Sequence, residues 1–375
     1  MIRFAHRPRR IAVFRALQLG DMLCAVPALR ALRKAEPDAA ITLIGLPWAA
    51  SFVERFSHLI DDLMVFPGAP GMPEQPIREE ETQAFYEQAR ARRFDLAIQL
   101  HGSGLVTNAI VRQLGARQMA GFRPVPAAPV AGRAERKWQP GVVSYGARPV
   151  KELLIDWPGG NEIERLLALT SRLGYPPDGT QLEFPLRPAD NAAWQRLALM
   201  YDLMPGNFIC VHPGARMHSR RWPVERFAAV ADVLRQHWKI VVTGTPDEAE
   251  LVGRLCDTLG SPVINLCGKT DLGAMAAVVK HARLLLCNDT GASHIAAAMH
   301  TPSVVVSCGS DSARWAPLDS SSHRVLADYP ACRPCMHQDC PVGHLCAEGV
   351  GVDEVVAAAM AMTGQSRETQ EVSHA

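Results

Sequence analysis

The chain has 375 residues, of which 48% are hydrophobic and 21% charged, and its formal net charge is +1 at pH 7. These values are ordinary for a globular cytosolic protein and give no reason to expect a nucleic-acid partner. Two domains are the default at this length, because one hydrophobic core rarely grows beyond roughly 250–300 residues. No apolar run approaches the ~20 residues of a membrane span, which excludes a membrane-spanning protein.

The two halves of the chain differ in charge. Residues 1–150 carry 20 Lys and Arg against 13 Asp and Glu, a net charge of +7, whereas residues 151–375 carry a net charge of −6. A basic first half suits an anionic acceptor or peripheral contact with the anionic inner face of the cytoplasmic membrane. A merely solvated basic face would give the same count. We expect a cytoplasmic protein, because the apolar run after the basic start is too short for a signal peptide.

The first half begins with a strand–helix–strand unit. A short β-type run at Ile11–Phe14 is followed by a loop, Ala16–Gly20, a helical pattern from Asp21 to Ala35 and a second strand at Ile41–Ile44. Leu96–Leu100 is typical of a later strand in the same parallel sheet. Open parallel sheets bind ligands at the carboxyl ends of their strands, which predicts a site at the Ala16–Gly20 loop.

The middle of the chain predicts loops and a linker. Between about Gly121 and Pro158 the sequence is rich in Pro, Arg and Gly without a period, which is typical of long loops. A helical stretch, Asn161–Leu173, precedes a proline-containing linker, Gly174–Asp190. We therefore expect an N-terminal domain over residues 1–185.

The second half alternates strands and helices. The predicted strands are Phe208–Val211, Lys239–Thr243, Val263–Leu266, Arg283–Cys287 and Ser303–Ser307, and the predicted helices are Val224–His237, Asp247–Leu259, Leu272–His281 and Ser293–Met299. Such alternation predicts a second parallel sheet covered by helices, over residues 186–352. Residues 353–375 are expected to form a C-terminal helix that ends near Met362 and a polar, disordered tail from Gln365. Two such domains leave a cleft, a common ligand position.

Asp21 is the first candidate catalytic residue. It follows Gly20, where glycine permits a tight turn, and it falls near the start of a predicted helix. A carboxylate at the carboxyl end of a strand can act as a general base toward an acceptor hydroxyl. Asp is also a favoured N-cap residue, so a purely capping role would explain the same position.

Three further candidates follow predicted strands in the second half. His212–Arg216 and Arg220–Pro223 place two clustered cations beside a glycine turn, which suits a diphosphate, with a solvated basic loop as the alternative. Asn288–His294 offers backbone N–H groups to an anion, although a plain capping turn with His294 as an ordinary helix residue fits equally well. Gly244–Glu248 places acidic residues after a strand, where one of them can accept ribose hydroxyls, but acidic residues also favour helix N-termini in general.

Four late cysteines form a cluster, Cys332-x2-Cys335-x4-Cys340-x5-Cys346. In a cytosolic protein this density suggests a tetrahedral thiolate site for structural zinc or iron. The spacing is not that of a standard zinc finger, and reduced structural cysteines are the alternative.

Taken in order, these segments resemble glycosyltransferase family 9, the heptosyltransferases of lipopolysaccharide core assembly. The resemblance runs from Ile11 to about Ala359. It is carried by Leu19-Gly20-Asp21, Pro27–Arg30, Asp95–Ser103, His212–Gly214, Arg221-Trp222-Pro223, Gly268–Leu272, Asp289–His294 and the late cysteines.

The resemblance implies an α/β fold of GT-B type, in which two Rossmann-like parallel-sheet domains face each other across a cleft. It also implies inversion at the anomeric carbon with ADP as leaving group. Carried over by position, Asp21 becomes the catalytic base, and acceptor contacts fall at Gly20, His101 and Gly102. The donor-binding residues become Gly214, Arg220, Glu248, Thr270, Asp289, Thr290, Gly291 and His294. Arg220 stands where the family has a lysine, which keeps the charge and alters the geometry.

The expected activity is transfer of heptose from ADP-heptose to an anionic lipopolysaccharide-core acceptor or a related surface glycan. The chain contains no Asp-x-Asp pair for a nucleotide-bound metal ion, so no cofactor is expected in catalysis. Two alternatives stay open: a family 9 transferase with a protein or another glycan as acceptor, and a nucleotide-sugar-binding module without catalysis. Asp21 argues against the second, because a pure binder has no use for a base.

Overall fold

A computed structural model of the chain describes residues 7–125, 151–260 and 262–372, with side chains up to residue 364. The chain divides into two compact units, Met1–Thr180 and Gln181–Ala375. Each unit contains a six-stranded sheet, and all the strand pairings described are parallel. The predicted α/β fold with two parallel-sheet domains is therefore confirmed.

The first unit is built on a sheet whose chain order reverses in the middle. Its strands are β1 (Arg10–Phe14), β2 (Ala40–Gly45), β3 (Asp62–Val65), β4 (Leu96–Gln99), β5 (Gln118–Arg123) and β6 (Lys151–Asp156). Its helices are α1 (Leu19–Ala35), α2 (Ala49–Arg55), α3 (Glu79–Ala91), α4 (Thr107–Gln113) and α5 (Glu162–Arg172). The strands lie in the order β3-β2-β1-β4-β5-β6. The reversal between β1 and β4 is where open parallel sheets bind ligands.

The second unit repeats this plan. Its strands are β7 (Phe208–His212), β8 (Lys239–Val242), β9 (Ile264–Asn265), β10 (Leu284–Asn288), β11 (Ser303–Val306) and β12 (His323–Leu326), in the order β12-β11-β10-β7-β8-β9. Its helices are α6 (Pro188–Tyr201), α7 (Val224–Leu234), α8 (Ala249–Leu259), α9 (Leu272–His281), α10 (Gly291–Met299), α11 (Ser312–Trp315), α12 (Leu345–Glu348) and α13 (Val352–Val372). Short 3₁₀ turns occupy His218–Arg220 and Pro246–Glu248. The order reverses between β7 and β10.

The central strands are buried on both faces, which is why their sequences are continuous apolar runs. Ile11–Phe14 of β1 are at most 1% exposed, and Leu284–Cys287 of β10 are fully buried. Helices cover both faces of a sheet of this kind, so its strands cannot alternate apolar and polar residues. The candidate site residues follow the buried strands and therefore lie at the carboxyl edge of each sheet.

The stretch predicted as long loops, Gly121–Pro158, contains two strands. β5 reaches Arg123 and β6 spans Lys151–Asp156, while residues 126–150 lie outside the described residues. β6 is an edge strand of its sheet and none of its residues is buried. Its apolar run, Leu153–Ile155, is short and flanked by charged residues, so the sequence does not mark it as a buried strand.

The predicted linker Gly174–Asp190 also ends in a helix. α6 starts at Pro188, a residue that suits the first turn of a helix because its missing N–H has no intrahelical partner there. The Asp190 carboxylate accepts the backbone N–H of Arg187 at 2.8 Å and so completes the helix start.

The last helix, α13, extends beyond its predicted end near Met362 and past Gln365, the predicted start of the tail, to Val372. It packs against α7 and the strands β10, β11 and β12 of the second unit. None of the helices described here combines the length and apolar character that crossing a bilayer requires.

Candidate functional site

Asp21 lies in the first turn of α1, directly after the carboxyl end of β1. It is the third residue of the helix and is partly exposed. The N-cap residue is Gln18, whose side chain makes no capping hydrogen bond, so Asp21 is not the N-cap. Gly20 lies inside the same helical turn and does not have a positive φ, so the tight turn predicted there is absent. The helix starts two residues earlier than the sequence pattern suggested.

A buried arginine that the sequence analysis did not single out holds this turn. The Arg15 guanidinium donates from Nε and Nη2 to the backbone oxygen of Asp21, at 2.9 and 2.7 Å, and from Nη1 to the Leu100 carbonyl. Its Nη2 also lies 3.2 Å from Glu162 Oε1. An arginine next to a strand end was the only local signal, because its partner Glu162 is 147 residues away in sequence.

His101 and Gly102 follow β4, the strand beside β1. The His101 ring is buried and stacks on Phe14 with ring centroids 5.6 Å apart. Its Nδ1 accepts the backbone N–H of Ala16 at 3.3 Å, so the ring proton belongs on Nε2, which lies 3.5 Å from Glu74 Oε1. Gly102 has a φ of +67° and open space where a Cβ would lie. The structure thus brings His101 beside the loop that leads to Asp21.

In the second unit, Gly214 and Glu248 are in direct contact. A Cβ on Gly214 would lie 1.9 Å from Glu248 Oε1, so a side chain at this position would displace the carboxylate. The other oxygen, Oε2, accepts the Thr245 N–H at 2.9 Å and completes a capping box. Burial lowers the pKa of the neighbouring His212, and the Glu248 charge opposes that effect. Glu248 therefore fills the capping role considered above while Oε1 faces the glycine turn.

Asn288 ties the β7 and β10 loops together, and it is a second functional residue that the sequence analysis did not single out within its segment. Its side chain is fully buried, donates from Nδ2 to Pro213 O at 2.7 Å and accepts the Trp222 N–H at 2.9 Å. A polar residue at the end of an apolar strand was the available signal. The amide brings the glycine turn, the Arg220 segment and the start of α10 into one cluster.

The start of α10 forms a capping turn with an acidic neighbour. Thr290 is the N-cap, and its Oγ1 accepts the Ala292 N–H at 3.4 Å. The backbone N–H groups at the start of an α-helix lack intrahelical acceptors and carry partial positive charge, so they suit an anion. Asp289 Oδ2 accepts from Ser307 Oγ at 3.3 Å, which fixes the carboxylate at the end of β10. His294 is only 4% exposed within α10, as an ordinary buried helix residue would be.

Arg220 ends the 3₁₀ turn between β7 and α7. Its Nη2 donates to the Cys335 carbonyl at 2.9 Å, and its buried Nε has no hydrogen-bond partner. No carboxylate lies within ion-pair distance of it in the part of the chain that the structure describes. Its turn is anchored by the Ser219 N–H, which donates to the Gln338 carbonyl at 3.0 Å. A held, unpaired guanidinium suits a phosphate.

Thr270 lies just before Asp271, the N-cap of α9, and is partly exposed. The loop that carries it lies beside the β8 loop, because the Gly268 N–H donates to the Gly244 carbonyl at 3.0 Å. The structure therefore brings Thr270 towards the segment that contains Glu248. The donor residues predicted in the second unit all lie at or near the carboxyl edge of its sheet.

The four cysteines of the late cluster line one small cavity, together with His337 and His344. Cys332 is exposed, whereas Cys346 is buried, and its free thiol lies within hydrogen-bonding distance of the free thiol of Cys308, shortly after β11. A hydrogen bond from Cys308 is the main reason that the pKa of Cys346 falls to about 6. Within residues 7–125, 151–260 and 262–372, no three His, Cys, Asp or Glu side chains converge as metal ligands. As they lie, these thiols do not form the predicted tetrahedral zinc or iron site.

Comparison with known proteins gives one consistent result. The profile of glycosyltransferase family 9 (heptosyltransferase) matches residues 82–346. The lipopolysaccharide heptosyltransferase 3 of Escherichia coli is 25% identical over 323 residues, which cover 83% of this chain and 87% of the relative.

Solved structures of two proteins share the fold. The family 9 glycosyl transferase of Veillonella parvula superimposes with a TM-score of 0.73 at 22% identity, over 95% of this chain and 97% of that one. The ADP-heptose lipopolysaccharide heptosyltransferase II of E. coli gives a TM-score of 0.68 at 19% identity, over 96% and 99% of the two chains.

Proposed function

Since the chain belongs to glycosyltransferase family 9, the heptosyltransferases, we propose that it moves a heptose from ADP-heptose onto a lipopolysaccharide-core acceptor with inversion at the anomeric carbon. The observation that carries the donor assignment is the Arg220 guanidinium, which is held in place and has no counter-charge among the residues that the structure describes. The two E. coli relatives named above are lipopolysaccharide heptosyltransferases, and the description of one of them includes ADP-heptose. The GT-B plan of two Rossmann-like domains supplies one domain for each substrate.

The donor assignment follows the cluster in the second unit. Arg220 and the N–H groups at Thr290 and Gly291 would bind the diphosphate, because both features favour phosphate oxygens. Glu248 would accept the ribose hydroxyls, with Gly214 leaving room for its carboxylate. Thr270 would lie near the adenine, and Asp289 would bind heptose hydroxyls. For His294 the burial supports a structural role within α10 beside this site.

Asp21 would act as the general base of a single displacement. It takes the proton of the acceptor hydroxyl while that oxygen attacks the anomeric carbon and the bond to the β-phosphate breaks. Negative charge then builds on the departing ADP, where Arg220 and the start of α10 would stabilise it. Gly20, His101 and Gly102, at the switch point of the first sheet, would contact the acceptor.

The decisive experiment is a donor screen with truncated lipopolysaccharide as acceptor, read as release of nucleoside diphosphate. Release of ADP from ADP-heptose, dependent on the acceptor, supports the proposal. Nucleoside diphosphate release only from another nucleotide sugar would show that ADP-heptose is not the donor. Transfer only to a protein would show that lipopolysaccharide is not the acceptor. Donor binding without release under any condition would instead indicate a binding module.

Catalysis is expected to proceed without a metal ion. No Asp-x-Asp pair is present to hold a nucleotide-bound divalent cation, and an arginine can stabilise the leaving diphosphate in its place. We expect turnover in excess EDTA to stay within about 2-fold of turnover with added Mg²⁺, whereas removal of an essential metal costs far more. ADP release, measured after dialysis against chelator and again after Mg²⁺ or Mn²⁺ is restored, checks this. Recovery of lost activity by either ion would contradict it.

Gly214→Ala is expected to weaken ADP binding by about 10-fold or more, since a hydrogen bond to a charged group contributes about 1.5–3 kcal/mol. The new Cβ would push the Glu248 carboxylate away from its position. Calorimetric titration with ADP measures the effect, and Gly253→Ala on α8 is a matched control, because nothing lies within 4 Å of a Cβ there. Equal ADP affinity in the two variants would remove Glu248 from the ribose site.

A further inference from the structure

We propose that Arg15 is a positioning residue, which holds the first turn of α1, and with it Asp21, through a buried ion-pair network. The inference rests on the proposed role of Asp21 as the base. It adds residues that no part of the donor or acceptor assignment uses: Arg15 after β1, and Glu162 and Arg165 on α5.

One guanidinium fixes three segments of the first unit. Arg15 is only 1% exposed, and it donates twice to the backbone oxygen of Asp21, at 2.9 and 2.7 Å, and once to the carbonyl of Leu100. It thereby joins the end of β1, the start of α1 and the end of β4. The planar fork of Arg fixes direction as well as distance, which a lysine ammonium cannot do. The backbone of Asp21 is therefore held.

Glu162, the first residue of α5, connects Arg15 to that helix. Its Oε1 lies 3.2 Å from Arg15 Nη2 and its Oε2 lies 2.8 Å from Arg165 Nη1, and the Glu162 and Arg15 side chains are both 0% exposed. Arg165 in turn donates to the Pro158 carbonyl at 2.7 Å and lies 4.2 Å from the centre of the Trp157 ring. An Arg–Glu–Arg triad thus links the Asp21 turn to the segment that follows β6.

Stability alone does not explain such a triad. Moving three charged groups out of water is costly, and apolar residues of similar size often serve stability as well or better. Apolar residues cannot donate directed hydrogen bonds to one particular carbonyl group. The carbonyl that Arg15 holds is that of the proposed base, and a displacement of ~1 Å in a reacting group can cost about 10²-fold in rate.

Arg15→Lys in the full chain tests the inference. The lysine keeps the charge beside Glu162 and loses the fork, so we expect kcat to fall about 10-fold while the Kd for ADP stays within about 2-fold. Arg33→Lys is the matched control, since Arg33, in the last turn of α1, also donates to backbone carbonyls, those of Leu59 and Ala39, at the end of the helix away from Asp21. Its kcat is expected to remain that of the wild type.

Each outcome decides a different question. A wild type that never releases ADP in the presence of acceptor overturns the proposed function and this inference together. If the wild type is active and folded Arg15→Lys matches Arg33→Lys in kcat, only the inference falls. A parallel loss of kcat and ADP affinity would indicate general damage to the fold and would also overturn it.

Glu162→Gln decides the matter if Arg15→Lys does not fold. Gln has the shape of Glu and removes the charge, and Glu164→Gln on the exposed face of α5 is its control. We expect Glu162→Gln to lower kcat by about 5-fold with ADP affinity unchanged, as weaker orientation of the base requires. A kcat equal to that of the control would overturn the inference.

Discussion

Asp21→Asn is expected to lower turnover by about 10²-fold or more while the affinity for ADP-heptose stays within about 2-fold of the wild type. Asn has the size of Asp but cannot take up the proton of an acceptor hydroxyl at neutral pH. Asp21 lies in the unit that does not carry the donor cluster, so its loss should leave the Arg220 and Thr290 contacts with the nucleotide intact. Initial rates of ADP release at saturating acceptor give the first quantity, and calorimetric titration with the donor gives the second.

Asp178→Asn is the matched control for this variant. Asp178 is also an aspartate of the first unit that contacts α1, through an exposed ion pair with Lys34 at 2.7 Å. Exposed pairs of this kind contribute little, so its turnover should be that of the wild type. If Asp21→Asn retained wild-type turnover, Asp21 would not be the base. If turnover, donor affinity and thermal stability fell together, the carboxylate would have a structural role.

Sequence patterns located the buried elements well because burial on both faces leaves little choice of residue. α9 begins and ends where its pattern predicts, at Leu272 and His281, with Asp271 capping its first turn through the Ala274 N–H at 2.8 Å. Edge strands are different. β6 and β12 each have partners on one side only, so charged and polar residues are tolerated in them and their apolar runs, Leu153–Ile155 and Val325–Leu326, are short.

The positions of the site residues followed from chain order, but their contacts did not. Strand ends predicted where Asp21, Gly214 and Asp289 lie, since parallel strands all finish at one edge. Contacts between residues far apart in sequence left no local pattern, as the pairing of Arg15 with Glu162 illustrates. The cysteine spacing suggested converging thiolates, yet the Cys346 thiol forms a hydrogen bond with Cys308, a residue outside the cluster.

The cysteine-rich segment also orients Arg220, because Arg220 Nη2 donates to the Cys335 carbonyl. Arg220→Ala is expected to lower kcat/KM by about 10²-fold, because a charge-assisted contact with phosphate is lost both in donor binding and as ADP departs. The affinity for ADP alone should fall by about 10-fold, the part of the effect that exists before bond breaking. Arg220→Lys should recover most of the affinity, since it restores the charge without the fork. Titration with ADP and initial rates of ADP release separate these contributions.

Arg216→Ala distinguishes a specific contact from the general positive potential of the loop. Arg216 is exposed and lies four residues before Arg220, so its removal changes the local charge equally. If the arginine acted only through its charge, Arg216→Ala and Arg220→Ala would lose the same affinity for ADP. A held guanidinium predicts a larger loss in Arg220→Ala, because of these two arginines only Arg220 is oriented by the Cys335 carbonyl and has a buried Nε without a partner. A loss of acceptor affinity alone in Arg220→Ala would place the diphosphate elsewhere and leave this arginine without a role in leaving-group departure.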